Sequence, residues 1–108
     1  MTYTYVTKKQ YLYLVLHGEL DHHTAKSVRT EIDALLDAEK PKIFVFDLSE
    51  IVFCDSSGLG IIMGRFKKMM SLGGEMIVLN PSEAVNKIME LAGMDKLIKI
   101  ERGEKISE

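Results

Sequence analysis

The sequence predicts a single α/β domain with a mostly parallel, mixed β-sheet of about five strands and helices as crossovers. Strand-like and helix-like apolar patterns follow one another in the order strand, strand, helix, strand, helix, strand, helix, strand. The 108 residues, 46% hydrophobic and 28% charged, suit one domain, so we assign residues 1–108 to it. One cysteine excludes a disulfide framework, and a chain of this length is expected to bury a sufficient core without a metal.

The first two predicted strands form a pair joined by a polar turn. Tyr3–Val6 and Tyr11–Leu16 are rich in aromatic, β-branched and aliphatic residues, and Lys8–Gln10 lies between them. Both faces of the second strand are apolar. We therefore expect helices to cover both faces of the sheet.

The first two helices are predicted by apolar residues at spacings of three and four. The first helix follows Gly18–Asp21, begins near Thr24 with Asp21 or Thr24 as its cap, and ends at Ala38 or Glu39. The second follows the loop that contains Ser56. It ends at the glycines after Leu72, and its predicted apolar stripe is Leu59, Ile62, Met63, Phe66, Met69 and Met70.

The third helix and three more strands complete the predicted sheet. Asn80 is the expected cap of the third helix, with Pro81 at its first position, and Gly93 ends it. The remaining strands are short apolar runs: Ile43–Leu48, Met76–Leu79 and Leu97–Ile100. The charged residues after Ile100 are expected to fray.

Two loops are expected to meet at one edge of this sheet. Residues 17–21 and 49–57 both follow parallel strands, and the carboxyl ends of such strands share an edge where sites usually form. Asp21 and Ser56 are therefore predicted to be neighbours despite their separation in sequence.

The segment from Cys54 to Gly60 is the candidate functional stretch. Asp55, Ser56 and Ser57 are three consecutive residues that can each cap a helix, although one cap needs only one side chain. Gly58 and Gly60 lower helix propensity and would let another molecule approach the backbone. Capping of the second helix and anion or partner binding are both compatible with this pattern.

One apolar side chain near this stretch does not fit the stripe of the second helix. On an ideal helix Ile61 lies beside Ser57, Arg65 and Lys68, so we expect it to face outward. Ile61 is therefore a candidate contact for a partner.

Charge and hydropathy limit the possible partners. The net charge is −2 and the 14 Lys and Arg residues are spread along the chain, which does not favour nucleic-acid binding. No apolar run has the length of a membrane span, and residues 1–9 do not resemble a signal peptide. We expect a cytoplasmic protein without membrane contact.

Four enzymatic or metal-binding interpretations fit the residues poorly. Ser57 would be a hydrolase nucleophile, but Asp55 stands where a nucleophile elbow needs glycine. Cys54 has no arginine at the spacing of a phosphatase loop and is expected to be a buried structural thiol. Adjacent His22 and His23 diverge on a helix and are weak metal ligands. Asp47 ends a strand as in receiver domains, but the acidic pair of such domains is missing after the first strand.

Taken together, four segments resemble the anti-sigma factor antagonist family of STAS domains, most closely the sporulation type. They are Gly18–Ala25, Asp55–Gly60, Gly64–Arg65 and Gly73–Met76. The resemblance extends over nearly the whole chain with the same order of elements.

This resemblance implies a protein without catalytic activity or cofactor that binds an anti-sigma factor and so frees a sigma factor. The partner is implied to be an ATP-bound serine kinase that phosphorylates Ser56, and a PP2C-type phosphatase is implied to reverse the modification. Asp55, Ser56, Ser57 and Gly58, with Asp21 in the neighbouring loop, are the implied partner-binding residues. A STAS scaffold module of a larger signalling assembly and a small serine hydrolase remain alternatives.

Overall fold

The computed structural model describes residues 2–103 and confirms the α/β class and the order of the predicted elements. It contains one strand more than expected in the described residues. The elements are β1 (Thr2–Lys8), β2 (Tyr11–Leu20), α1 (Ala25–Glu39), β3 (Ile43–Asp47), β4 (Ile51–Cys54), α2 (Ser56–Ser71), β5 (Glu75–Leu79), α3 (Glu83–Leu91), a 3-10 helix (Met94–Lys96) and β6 (Lys99–Glu101). The fraying predicted after Ile100 falls mostly on residues 104–108, which lie outside the described part.

The main sheet has the strand order β1-β2-β3-β5-β6. β1 is antiparallel to β2, and the other neighbouring pairs are parallel. Along this path from β2 to β6 each strand is added on the same side of the previous one, and β4 pairs with β2 off the path. Right-handed crossovers between strands that advance in one direction place every helix on the same face of the sheet.

Helices therefore cover one face of the sheet, and the expectation that they cover both is wrong for the described residues. The buried apolar side chains of all three helices belong to one core cluster with Leu12, Leu14 and Leu16 of β2. Tyr13 and Val15, which alternate with these leucines, point to the other face and are only partly buried. On that face Tyr13 lies in register beside the buried Val45 of β3.

β4 is the additional strand, and it lengthens β2 beyond its predicted end. Residues Gly18–Leu20 of β2 pair in parallel with β4, after the pairing with β3 has ended at Val15. The register shifts between Gly18 and Glu19, and Gly18 has a φ of 111°, a conformation that glycine adopts without a steric penalty.

α2 is rotated about its axis relative to the prediction, so the expectation that Ile61 faces outward is wrong. Ile61 is only 4% exposed and belongs to the core, whereas Met70 of the predicted stripe is exposed. The cause is α1, which packs against this side of α2. Its Asp33 pairs with the buried Arg65, with Nε and Oδ1 2.8 Å apart.

The cap of α3 also differs from the prediction. Ser82, not Asn80, is the N-cap, and its hydroxyl accepts a hydrogen bond from the Val85 N–H at 3.3 Å. Asn80 has a φ of 48° and instead exchanges two hydrogen bonds with the backbone of Gly103. The side chain of Asn80 thus holds the segment after β6.

Candidate functional site

The junction between β4 and α2 is built around Asp55, the N-cap of the second helix. Asp55 has an extended backbone, and its Oδ1 accepts a hydrogen bond from the Gly58 N–H at 3.0 Å. This bond is the main reason that the pKa of Asp55 lies below its usual value, with the His22 N–H adding to the effect. Asp55 therefore carries a negative charge and supplies the cap alone.

Asp21 organises the loop that follows β2. Its Oδ1 accepts hydrogen bonds from the N–H groups of His23 at 2.9 Å and Thr24 at 3.1 Å, and its own N–H donates to Thr24 Oγ1. The residue is buried. Asp21 thus shapes the turn before α1, and Thr24 is the formal N-cap without a side-chain cap bond.

The two loops meet, as the sequence predicted for this edge of the sheet. The His22 N–H donates to Asp55 Oδ2 at 3.4 Å, and His22 Nδ1 lies 4.0 Å from the same oxygen. Below them the Asp55 N–H donates to the Leu20 carbonyl at 3.3 Å. The contact runs through His22 and Asp55, so Asp21 supports it from within its own loop.

Ser56 is the first residue of α2 and is exposed to solvent. Within residues 2–103 its hydroxyl takes part in no hydrogen bond, because Asp55 already satisfies the cap. Ser57 is half-buried. An uncommitted hydroxyl at a helix N-terminus can receive a phosphoryl group, and the helix dipole favours the resulting anion.

Gly58 has an internal role that corrects the expectation of a partner approaching at this residue. A Cβ on Gly58 would lie 2.0 Å from the Leu20 carbonyl oxygen and 2.9 Å from Cys54 Sγ. The residue is buried, so its missing side chain allows β2 and α2 to touch each other. Gly60 is exposed with open space around it, and a partner could approach the backbone there.

Cys54 is buried beneath the junction, in agreement with its interpretation as a structural thiol. Its S–H donates to the Asp55 carbonyl at 3.6 Å. Burial, with a smaller contribution from the Asp55 charge, raises its pKa to about 11. A thiol with this pKa is protonated at neutral pH and is a poor nucleophile.

The other side chains considered from the sequence are arranged differently from an active site. His22 contacts Asp55, and no histidine in residues 2–103 hydrogen-bonds to Ser56 or Ser57. Asp47 is buried, and its Oδ1 accepts a hydrogen bond from the Ser49 N–H at 2.9 Å. In the same range, no three His, Cys, Asp or Glu side chains are grouped closely enough to hold a metal ion. No helix there is long and apolar enough to cross a membrane.

Sequence reasoning missed β4 and the exposed residues that it carries. Val52 and Phe53 lie in the middle of this strand, directly before the Asp55 cap, and both are exposed. Four apolar residues in a row, Ile51–Cys54, were the available signal for a short strand. Their exposure depends on which elements cover β4, which the sequence pattern does not contain.

Comparisons of the sequence with protein families and with known proteins agree with one another. The STAS domain family model matches residues 3–105. An anti-sigma F factor antagonist of Paenibacillus polymyxa is 39% identical over 85 residues, which cover 79% of this chain and 73% of that protein.

Solved structures agree with the sequence matches. The anti-sigma factor antagonist SpoIIAA in its unphosphorylated form superposes with a TM-score of 0.80 at 25% identity, covering 95% of this chain and 89% of that one. SpoIIAA of Bacillus in the phosphorylated form has a TM-score of 0.75 at 24% identity, covering 95% and 92%. The same fold therefore occurs in both forms of that protein.

Proposed function

The chain belongs to the STAS domain family, among the anti-sigma factor antagonists, and from this membership we propose that it binds an anti-sigma factor and is switched off by phosphorylation. The anti-sigma factor is a serine kinase that holds ATP, and binding to it releases the sigma factor in the cytoplasm. A PP2C-type phosphatase restores the active form. The chain itself has no catalytic activity.

The observation that carries this proposal is the free hydroxyl of Ser56 at the start of α2. Asp55 satisfies the cap, so the Ser56 side chain can enter a kinase active site without breaking a hydrogen bond of its own. Ser56 is the substrate of the partner. Asp55, Ser57 and the backbone near Gly58 position it, and Asp21 holds the neighbouring loop.

A phosphate on Ser56 is tolerated by the domain because it sits at a helix N-terminus. The dipole and free N–H groups favour an anion there by about 0.3–2 kcal/mol. The fold shared by the unphosphorylated and phosphorylated forms of SpoIIAA supports this view.

The same phosphate weakens binding to the anti-sigma factor. Its charge of nearly −2, placed about 6 Å from one unit negative charge on the partner, costs roughly 2–3 kcal/mol at an effective dielectric near 40. That energy lowers affinity by about a hundredfold. Phosphorylation thus weakens binding with little effect on the stability of the antagonist.

The test is phosphopeptide mapping after incubation with ATP and the recombinant anti-sigma factor from the same cell. We expect phosphate on Ser56 of the wild type and none on Ser56→Ala, while Ser57→Ala still carries its phosphate on Ser56. Modification confined to Ser57, or none in the wild type, contradicts the site assignment.

A STAS scaffold module is the second candidate function. It differs in its binding partner, because a scaffold would assemble with other proteins whether or not ATP is present. A pull-down from cell extract with and without ATP separates the two. Release of an anti-sigma factor after addition of ATP supports the antagonist.

A further inference from the structure

Two adjacent apolar side chains are uncovered next to the Ser56 junction. Val52 and Phe53 of β4 are 73% and 49% exposed, whereas Ile51 and Cys54 at the ends of the strand belong to the core. Consecutive strand residues point to opposite faces, so these two side chains leave the middle of β4 uncovered on both sides. Apolar side chains left uncovered next to a candidate site can mark a contact with a partner. We call this pair the β4 patch.

The β4 patch is held on a rigid support. Ile51 and Cys54 anchor the strand in the core, and β4 pairs with Gly18–Leu20 of β2. Just beyond the patch the Asp55 N–H is bonded to the Leu20 carbonyl. An aromatic side chain on such a support has little conformational freedom to lose on binding, which favours affinity.

The β4 patch lies close enough to Ser56 to contact a protein that binds there. Phe53 is three residues from Ser56, so their Cα atoms are at most about 11 Å apart. A standard protein interface covers about 800 Å² on each partner, equivalent to a disc about 16 Å in radius. In the strand pairing Phe53 also stands opposite Glu19, near the Asp21 loop. An interface centred on Ser56 therefore has the reach to include the β4 patch.

The charges around the patch favour a protein over a nucleic acid or a membrane. Residues 10–25 and 43–64, which include both site loops, contain no Lys or Arg. Glu19, Glu50 and Asp55 are the charged neighbours in sequence and register. Phosphate backbones and anionic lipid surfaces attract Lys and Arg, so acidic surroundings disfavour both.

We propose that the β4 patch is the apolar anchor of the anti-sigma factor complex, with Phe53 inserted into an apolar pocket beside the partner's nucleotide. The inference rests on the proposed function and adds the source of binding energy to it. Phe53 takes the role that the sequence had suggested for Ile61, which is buried. Binding and switching are then separate: the β4 patch supplies affinity, and Ser56 carries the charge that removes it.

The test compares Phe53→Thr and Val52→Thr with Leu97→Thr as a matched control. Leu97 is 56% exposed, and it precedes β6, the last strand on the side of the sheet away from β2 and β4. Threonine keeps a high strand propensity, and Val52→Thr also keeps the side-chain shape. Calorimetric titration with the ADP-loaded anti-sigma factor gives the Kd, and a thermal melt of each free variant checks folding.

We expect Phe53→Thr to raise the Kd by about tenfold or more, as for an aromatic hot spot, and Leu97→Thr to change it less than about twofold. KM for Ser56 phosphorylation should rise in parallel while kcat stays the same, since the reacting groups are untouched. A Kd for Phe53→Thr and Val52→Thr within about twofold of a binding wild type overturns the inference. A wild-type chain that does not bind overturns the proposed function, and this inference with it.

Discussion

At the scale of single residues, Gly58 and Gly60 differ in what surrounds them although both lie in the first turns of α2. Gly58 faces the Leu20 carbonyl of β2 at a distance that leaves no room for a methyl group, and Gly60 faces open space. The first glycine is needed for contact between two elements. The second only lowers the helix propensity of the segment.

This difference predicts opposite effects of the same substitution. Gly58→Ala should lower the free energy of unfolding by about 1–3 kcal/mol or more, because the added methyl group displaces α2 from β2. Gly60→Ala should raise it by about 0.5–1 kcal/mol through helix propensity. Urea denaturation measures both, and a Gly58→Ala chain as stable as wild type would contradict the close packing of α2 on β2.

Asp21 and Asp55 are both aspartates of the candidate site, but they have different structural roles. Asp21 is buried and bonds within its own loop, whereas Asp55 caps α2 and receives the His22 N–H from that loop. The Asp21 loop and the Ser56 junction are therefore one unit. At the start of α2 in this unit, Ser56 is exposed whereas Ser57 is half-buried.

At the scale of elements, α1 fixes the rotation of α2. Arg65 lies at the interface of the two helices, and burial lowers its pKa while Asp33 opposes that effect. A second ion pair, between Lys68 and Asp37, lies one turn further along and is more exposed. The two pairs set the face that α2 presents to the core.

These two ion pairs predict unequal losses of stability. Asp33→Ala leaves the buried Arg65 charge uncompensated and should cost about 1–3 kcal/mol, whereas Asp37→Ala should cost less than about 1 kcal/mol. Combining Asp33→Ala with Arg65→Met should recover part of the loss, since no buried charge remains. Equal effects of the two single variants in urea denaturation would speak against a buried Arg65.

At the scale of the whole molecule, the strand order places the hydrophobic core and the candidate site in different parts of the domain. All three helices bury their side chains on one face, and the loops that carry Asp21 and Ser56 meet at the carboxyl edge of the strands. The core therefore lies beneath the site and does not include the Ser56 side chain. A change of charge at Ser56 can act on a partner without disturbing the packing.

This arrangement predicts that Ser56→Asp separates binding from stability. The variant should bind the anti-sigma factor about tenfold or more weakly, because it adds a negative charge at the contact. Its melting temperature should stay within a few degrees of the wild type, since an acidic residue is favourable in the first turn of a helix. Calorimetry and thermal melts measure the two quantities. An unfolded Ser56→Asp chain would contradict the charge argument.

The sequence by itself determined the α/β class, the order of the predicted elements and the position of the Ser56 junction. These features depend on local periodicity, turn residues and helix caps, all of which are determined by residues close together in the sequence. Tertiary structure alone decided the burial of Ile61, the internal role of Gly58 and the exposure of Val52 and Phe53. Each of these depends on an element distant in sequence: α1 covers Ile61, the Leu20 carbonyl faces Gly58, and the middle of β4 is left uncovered. A local pattern predicts that a residue lies on a helix or strand, but contacts between distant elements decide which side of it meets the core.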